Sequence, residues 1–238
     1  MNQLYQCLNF LKKDGDVMTN SVKTIQNIIL KDEFSDLNSN EVAYQKCISG
    51  KSELDLIFLM INAEKLNPIL DVGVGSGDML EFFPFISHGL EPNNIRYTHC
   101  KRKFPGFKIK LGWAENLPYR LDTFEMVLCW GTYCFLRSPI EFLFEVNRVL
   151  RKGFNLVLDV VLESTMALAQ TVHKESFRRW VSLFGFNIIF EKEFGDDFHK
   201  RCAFVLTKIE NSNFNRFLMP QSMGKINNYL EDRDWYMR

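Results

Sequence analysis

Residues 69–78 are Ile-Leu-Asp-Val-Gly-Val-Gly-Ser-Gly-Asp, an apolar run that breaks into three glycines spaced by single residues. A short apolar run closed by glycines and followed by a helix-like segment is the strand–turn–helix unit of an α/β sheet. Glycine has no Cβ and accepts positive φ, so such a turn can bring backbone close to a ligand. The acid ahead of the first glycine, Asp71, bears on which ligand that is.

The same alternation continues down the chain. Extended segments are expected at 86–90, 107–111 and 124–130, with a helix at 94–104. Ser138 as cap, Pro139 in the first position and Glu141 three after the cap mark the clearest helix start, with Ile140, Leu143, Phe144 and Leu150 on one face. A buried strand follows at 155–162, then a helix at 174–184 stopped by Gly185, then a hairpin-like pair of strands at 187–193 and 201–208. Near-continuous apolar strands alternating with helices predict a mostly parallel sheet covered on both faces.

Ahead of this core, Ser52 and Asp55 have capping-box spacing before Leu54, Ile57, Phe58 and Ile61. Weaker periodicity at Val22, Ile25, Ile28 and Ile29 suggests a helical arm. The organisation expected is an N-terminal helical arm or lid at 1–64, a ligand-binding domain at 65–208 and a tail at 209–238. With Phe217, Leu218, Tyr229, Trp235 and Tyr236, the tail is apolar enough to pack on the core or on a partner.

Lys+Arg and Asp+Glu each number 29, so there is no basic excess and nucleic acid is not an expected partner. The run Lys101-Arg102-Lys103 fits a solvated helix face. Six scattered cysteines, with no Cys-x-x-Cys pair and no histidine cluster, imply buried thiols, no metal site and a reducing, cytoplasmic setting. No signal-peptide pattern and no bilayer-length apolar run is present, so no membrane association is expected.

A dinucleotide turn has its third glycine where this chain has Asp78, and an acid there opposes a pyrophosphate. The pattern Asp71-x-Gly73-x-Gly75-x-Gly77 instead resembles the first motif of class I S-adenosylmethionine-dependent methyltransferases. Glu91, twenty residues after Asp71, stands where that family places an acid on the ribose hydroxyls, with Pro92 beside the adenine. The segment 112–119, Gly-Trp-Ala-Glu-Asn-Leu-Pro-Tyr, is similar to the family's adenine loop. Residues 122–127 and 148–153 resemble its fourth-strand motif and its entry to the fifth strand. Trp113 departs from the family's usual Asp, Glu125 from the usual Asp of the fourth strand, and Lys152-Gly153-Phe154 from a Pro-Gly-Gly turn.

The resemblance implies a doubly wound, Rossmann-like α/β fold: three layers, with a seven-stranded, mostly parallel sheet carrying one antiparallel strand. It implies S-adenosylmethionine as cofactor, held by Asp71, Gly73, Gly75, Gly77, Glu91, Pro92, Trp113, Ala114, Glu115, Cys129 and Trp130. Methyl transfer by in-line displacement to a small-molecule acceptor is the expected function. A non-catalytic S-adenosylmethionine-binding sensor or scaffold is the alternative, and a nicotinamide-dependent enzyme a weaker one. The catalytic residue is left open, with His173 as the candidate general base and Tyr133 as a further catalytic candidate. Tyr133 and Cys134 could line an acceptor pocket, and Tyr44 could act in a lid.

Overall fold

A computed structural model of the protein describes residues 51–164, 170–196 and 199–211. The N-terminal arm with Tyr44, the tail from 212 onward, Cys7 and Cys47 lie outside the described residues. The chain divides into two compact units, Met1–Ala63 and Glu64–Arg238. In the first, helix α1 spans Lys51–Met60. The capping-box expectation at its start is corrected. Asp55 accepts Lys51 Nζ at 2.8 Å and Ser52 Oγ donates to Glu53, so both side chains serve neighbours within the helix.

The second unit is built on one sheet. Its strands are β1 (Ile69–Val72), β2 (His88–Glu91), β3 (Lys108–Leu111), β4 (Phe124–Cys129), β5 (Leu150–Ser164), β6 (Phe186–Asp196) and β7 (His199–Lys208). Their order is β3-β2-β1-β4-β5-β7-β6. All neighbours are parallel except β7, which runs antiparallel to both β5 and β6. Helices α2 (Asp78–Phe82), α3 (Asn94–Lys103), α4 (Pro139–Val149) and α5 (Lys174–Leu183) make the outer layers. Strand β1 is buried at every position, as expected of a strand with neighbours on both sides and helices above and below. Strand order reverses between β1 and β4, which opens a crevice at the carboxyl ends of these strands.

Two strand starts and one helix face differ from the sequence expectation for identifiable reasons. Strand β2 starts at His88 and includes Glu91, which pairs with Leu111, so Glu91 is the strand's last residue. Strand β5 starts at Leu150 rather than 155, because Phe124 pairs with Leu150 before a register break carries Met126 opposite Asn155. The buried face of α4 is Phe142, Leu143, Val146 and Val149, with Ile140 and Phe144 only partly covered. Its start forms as expected: Ser138 Oγ accepts the Glu141 N–H at 3.3 Å, with Pro139 in the first turn.

Tyr133, Phe142, Phe177 and Phe204 form the centre of the core, with ring centroids 4.8–6.0 Å apart along the chain of contacts. Each fully buried phenylalanine there contributes about 1.5–3 kcal/mol. Glu125 joins two strand entrances, accepting the Asn67 N–H at 3.0 Å and pairing with Arg151 at 2.7 Å. Among the described residues no helix is long and apolar enough to cross a membrane, and no His, Cys, Asp and Glu cluster could hold a metal ion.

Candidate functional site

Asp71 is the third residue of β1, paired in register with Gly89 and Leu128, and is 2% exposed. Its Oδ2 is a buried oxygen that finds no hydrogen-bond partner among the described residues. Burial, and secondarily the neighbouring charge of Glu91, raise its carboxyl pKa to about 7. A buried carboxylate oxygen without a donor is costly, and a cationic or N–H-bearing ligand would relieve it.

The turn after β1 is fixed by backbone bonds. Gly73 and Val74 both donate to Leu90 O, at 2.8 and 3.0 Å, and Gly77 donates to Val74 O at 2.9 Å. Gly73 (φ +78°) and Gly75 (φ +57°) serve different ends. A Cβ on Gly73 would fall 2.3 Å from Thr132 Oγ1, so the loop after β4 rests against this glycine. A Cβ on Gly75 would meet only Gly73 O, at 3.9 Å, which leaves its backbone open to an approaching molecule.

Glu91 ends β2 opposite this turn. Its Oε2 accepts the Gly75 N–H at 2.9 Å and its Oε1 the Asn93 N–H at 3.0 Å. A carboxylate has about four acceptor positions, so lone pairs remain on both oxygens for hydroxyl donors. Asn93 also caps α3, accepting from Ile95 and Arg96 at 3.0 Å each.

These elements line a cleft of about 470 Å³, its open mouth included. Val72 and Gly73 lie at its base, Leu90, Glu91 and Pro92 on one side, and Trp113, Ala114 and Glu115 on another. Thr132, Phe135 and Leu136 complete it. Arg137 lies over Trp113, its Cζ 3.4 Å from the ring centroid. Glu115 Oε1 accepts the Arg137 and Ser138 N–H groups at 2.6 and 3.1 Å, which ties the loop to the start of α4. The same loop is clamped below by Arg148, which donates to Leu117 O and Tyr119 O and pairs with Glu145 at 2.6 Å.

Of the eleven residues expected at a cofactor, Gly73, Glu91, Pro92, Trp113, Ala114 and Glu115 line the cleft, while Asp71, Gly75 and Gly77 belong to β1 and the turn after it without lining it. Cys129 and Trp130 lie outside the lining. Cys129 is fully buried in β4, and Trp130 stacks on Phe194 at 5.5 Å with rings 6° from parallel. The two catalytic candidates sit outside the lining. His173 is exposed at the start of α5. Tyr133 is 1% exposed in the aromatic core, its phenol pushed far up by burial. Cys100, Cys129, Cys134 and Cys202 are buried thiols. Arg137, Thr132 and Asn93 were not expected; only Asn93 had a signal in the sequence, as a capping residue after Pro92.

The Trp113–Arg137 pair offers a flat face at one side of the cleft. If the cleft holds the cofactor that the sequence resemblance implies, Trp113→Ala weakens binding of S-adenosylhomocysteine about fivefold or more, the scale of one base–aromatic stack. Equal calorimetric affinity in the two proteins would remove Trp113 from the site.

Residues 70–158 match the family profile described as a methyltransferase domain. A phthiotriol/phenolphthiotriol dimycocerosates methyltransferase of Mycobacterium leprae is 32% identical over 96 residues, 37% of this chain and 35% of that protein. A tRNA U34 carboxymethyltransferase of Pseudomonas putida is 24% identical over 192 residues, 70% of this chain and 56% of its own length. The chain therefore spans about a third of the mycobacterial relative and about half of the tRNA-modifying one. A solved S-adenosylmethionine-dependent methyltransferase of Methanosarcina mazei shares the fold, with a TM-score of 0.52 at 15% identity, covering 60% of this chain and 92% of that one. By its match over residues 70–158 this segment is similar to methyltransferase domains, and its seven-stranded sheet has the fold of solved S-adenosylmethionine-dependent methyltransferases.

Proposed function

We propose that this protein is an S-adenosylmethionine-dependent methyltransferase acting on a small-molecule acceptor. The observation that carries the cofactor assignment is the unpartnered Oδ2 of Asp71, buried beneath an open glycine turn and across from Glu91. Three acids, Asp71, Glu91 and Glu115, are buried at or beside the cleft, which favours a cationic ligand over a phosphate.

In this reading Asp71 favours the positive methionine end, directly or through water. Glu91 takes the ribose hydroxyls, and Pro92, Trp113 and Ala114 hold the base. When bound, the cofactor supplies a methyl group on a sulfonium, already activated for displacement. The chain's task is to align the acceptor and to exclude water, and no residue need move a proton unless the acceptor carries one. His88, half-buried with its pKa lowered to about 4 by burial and by Lys108 and Lys110, is engaged by Ser87 Oγ at 3.0 Å from its Nδ1 and by ring contacts with Tyr119 and Phe124.

One observation favours a second reading, an RNA acceptor. Residues 94–121 hold seven cations, all exposed (Arg96, Lys101, Arg102, Lys103, Lys108, Lys110 and Arg120), against the single acid Glu115. The rest of the chain is correspondingly acidic, since the whole is neutral. The relative that matches the larger share of this chain is named for tRNA.

The test is calorimetry with S-adenosylhomocysteine, followed by incubation of methyl-labelled S-adenosylmethionine with metabolite extract and, separately, with RNA. Saturable binding and label in a small molecule are expected. Label in RNA selects the second reading, and binding with no transfer to either pool leaves a non-catalytic binding protein. NAD binding with no S-adenosylhomocysteine binding would overturn the cofactor assignment.

A further inference from the structure

Asp159 and Arg201 form a buried ion pair that lies outside the cleft yet ends on the loop that bounds it. Asp159 is on β5 and Arg201 on β7, at 2% and 5% exposure. Arg201 Nε donates to Asp159 Oδ2 at 2.6 Å. The other carboxylate oxygen, Oδ1, accepts the Gly131 N–H at 2.5 Å.

Gly131 stands just past the point where the β4–β5 ladder ends, at Cys129 opposite Leu158. Its φ is +65°, so the chain turns there rather than extending. The next residue, Thr132, fills the space beside Gly73 in the turn after β1 and lines the cleft. Its Oγ1 donates to Trp130 O at 3.3 Å. On the other side of Gly131, Trp130 is flanked by Phe194 and by Arg201, whose Cζ is 5.5 Å from the indole centroid and 4.8 Å from that of Phe194.

An ion pair taken out of water is expensive, and apolar residues of similar volume would hold two sheet strands as well. Sheet stability therefore does not explain it. Its distinct effect is on backbone beyond the ladder, where Asp159 supplies the acceptor that a neighbouring strand no longer provides.

We infer that Asp159 and Arg201 are positioning residues: Arg201 fixes the Asp159 carboxylate, Asp159 pins the Gly131 N–H, and Thr132 is thereby set against Gly73. The edge of the cleft is preformed, and the β5–β7 pair is coupled to the glycine turn. The consequence for cofactor affinity rests on the function proposed above; the coupling itself does not.

The experiment compares wild type, Asp159→Asn and the double variant Asp159→Leu/Arg201→Met, whose apolar pair keeps the interior filled. Amide hydrogen exchange is read in the apo protein over residues 129–136, with β5 and β7 as internal reference. Calorimetry with S-adenosylhomocysteine follows. In the double variant the loop amides are expected to exchange at least tenfold faster while the reference strands keep their rates, and affinity to fall at least fivefold. Asp159→Asn, which retains an oxygen for Gly131, should restore much of the loop protection. Unchanged loop exchange in the folded double variant overturns the inference. So does a uniform rise across β5 and β7 without rescue by asparagine, which would make the pair a strut of the sheet. If wild type binds no S-adenosylhomocysteine, the proposed function fails while the exchange data still judge the coupling.

Discussion

Gly73→Val is expected to damage both the fold and ligand binding, and Gly75→Val to damage binding almost alone. The two glycines sit two residues apart with similar left-handed φ, +78° and +57°, so strain alone does not separate them. Left-handed backbone costs a side chain with a Cβ about 1–2 kcal/mol at either site. The difference lies in what the new atoms meet. At Gly73 they would fall on Thr132, with Cβ contacts of 2.3 to 2.9 Å, and the loop after β4 would have to move away. At Gly75 they would enter open space beside Gly73 O. That space is where a ligand held between Asp71 and Glu91 would lie. Gly73→Val should therefore lower the melting temperature by several degrees and abolish measurable S-adenosylhomocysteine binding. Gly75→Val should shift the melting temperature by only a few degrees, at about 2–4 °C per kcal/mol for a chain of this size. Its affinity should nevertheless fall at least tenfold, about 1.4 kcal/mol. Wild-type affinity in folded Gly75→Val protein would place the ligand elsewhere.

The sheet was legible because its signals are local. Strand β1 is buried at all four positions and its residues are apolar apart from Asp71; β4 has the same character. The start of α4 announced itself through Ser138 and Pro139. The start of β5 did not, because it depends on Leu150 pairing with Phe124 across the sheet, and the bulge that follows leaves no pattern at 152–154. Nor did the buried face of α4. Phe142 and Val146 are chosen over Ile140 and Phe144 by the core they meet, whereas helical spacing alone suits either set.

The site divides along the same line. Asp71, the glycines and Glu91 lie at strand ends, and a strand end is a position that sequence can give. The loop residues required contacts no sequence displays. Trp113 was set against a missing acid, but its partner Arg137, twenty-four residues later, is brought over the ring only by the fold of the loop onto α4. Trp130, expected among the cofactor residues, stacks on Phe194 of β6, which antiparallel pairing with β7 brings alongside. Cys129 points into the core for the simpler reason that strand side chains alternate. Glu115 serves the backbone at the start of α4, and that bond would persist with or without a ligand.

Asp71→Asn is expected to stabilise the free protein near pH 8 while weakening ligand binding. The carboxyl is fully buried, and burial first and Glu91 second raise its pKa from 3.8 to about 7. The folded state thus holds a proton that the unfolded chain releases. Stability from this group is fully present below the unfolded pKa and is lost as pH rises through about 7. Above that, the folded protein carries a buried charge, and every tenfold difference in proton affinity between the folded and unfolded chain is worth about 1.4 kcal/mol. Asparagine is neutral throughout and avoids that penalty. The variant should melt several degrees higher than wild type near pH 8, with the gain fading toward pH 4. Binding has the opposite requirement. A cation beside Asp71 favours the ionised form, so wild-type affinity for S-adenosylhomocysteine should rise as pH climbs through 7, with proton release visible as a buffer-dependent binding enthalpy. In Asp71→Asn the affinity should be at least tenfold lower near pH 8, with that pH dependence gone. A carboxylate that stabilised the fold and left binding unaltered would show the reverse pair of signs, and the assignment of Asp71 to the ligand would fall with it.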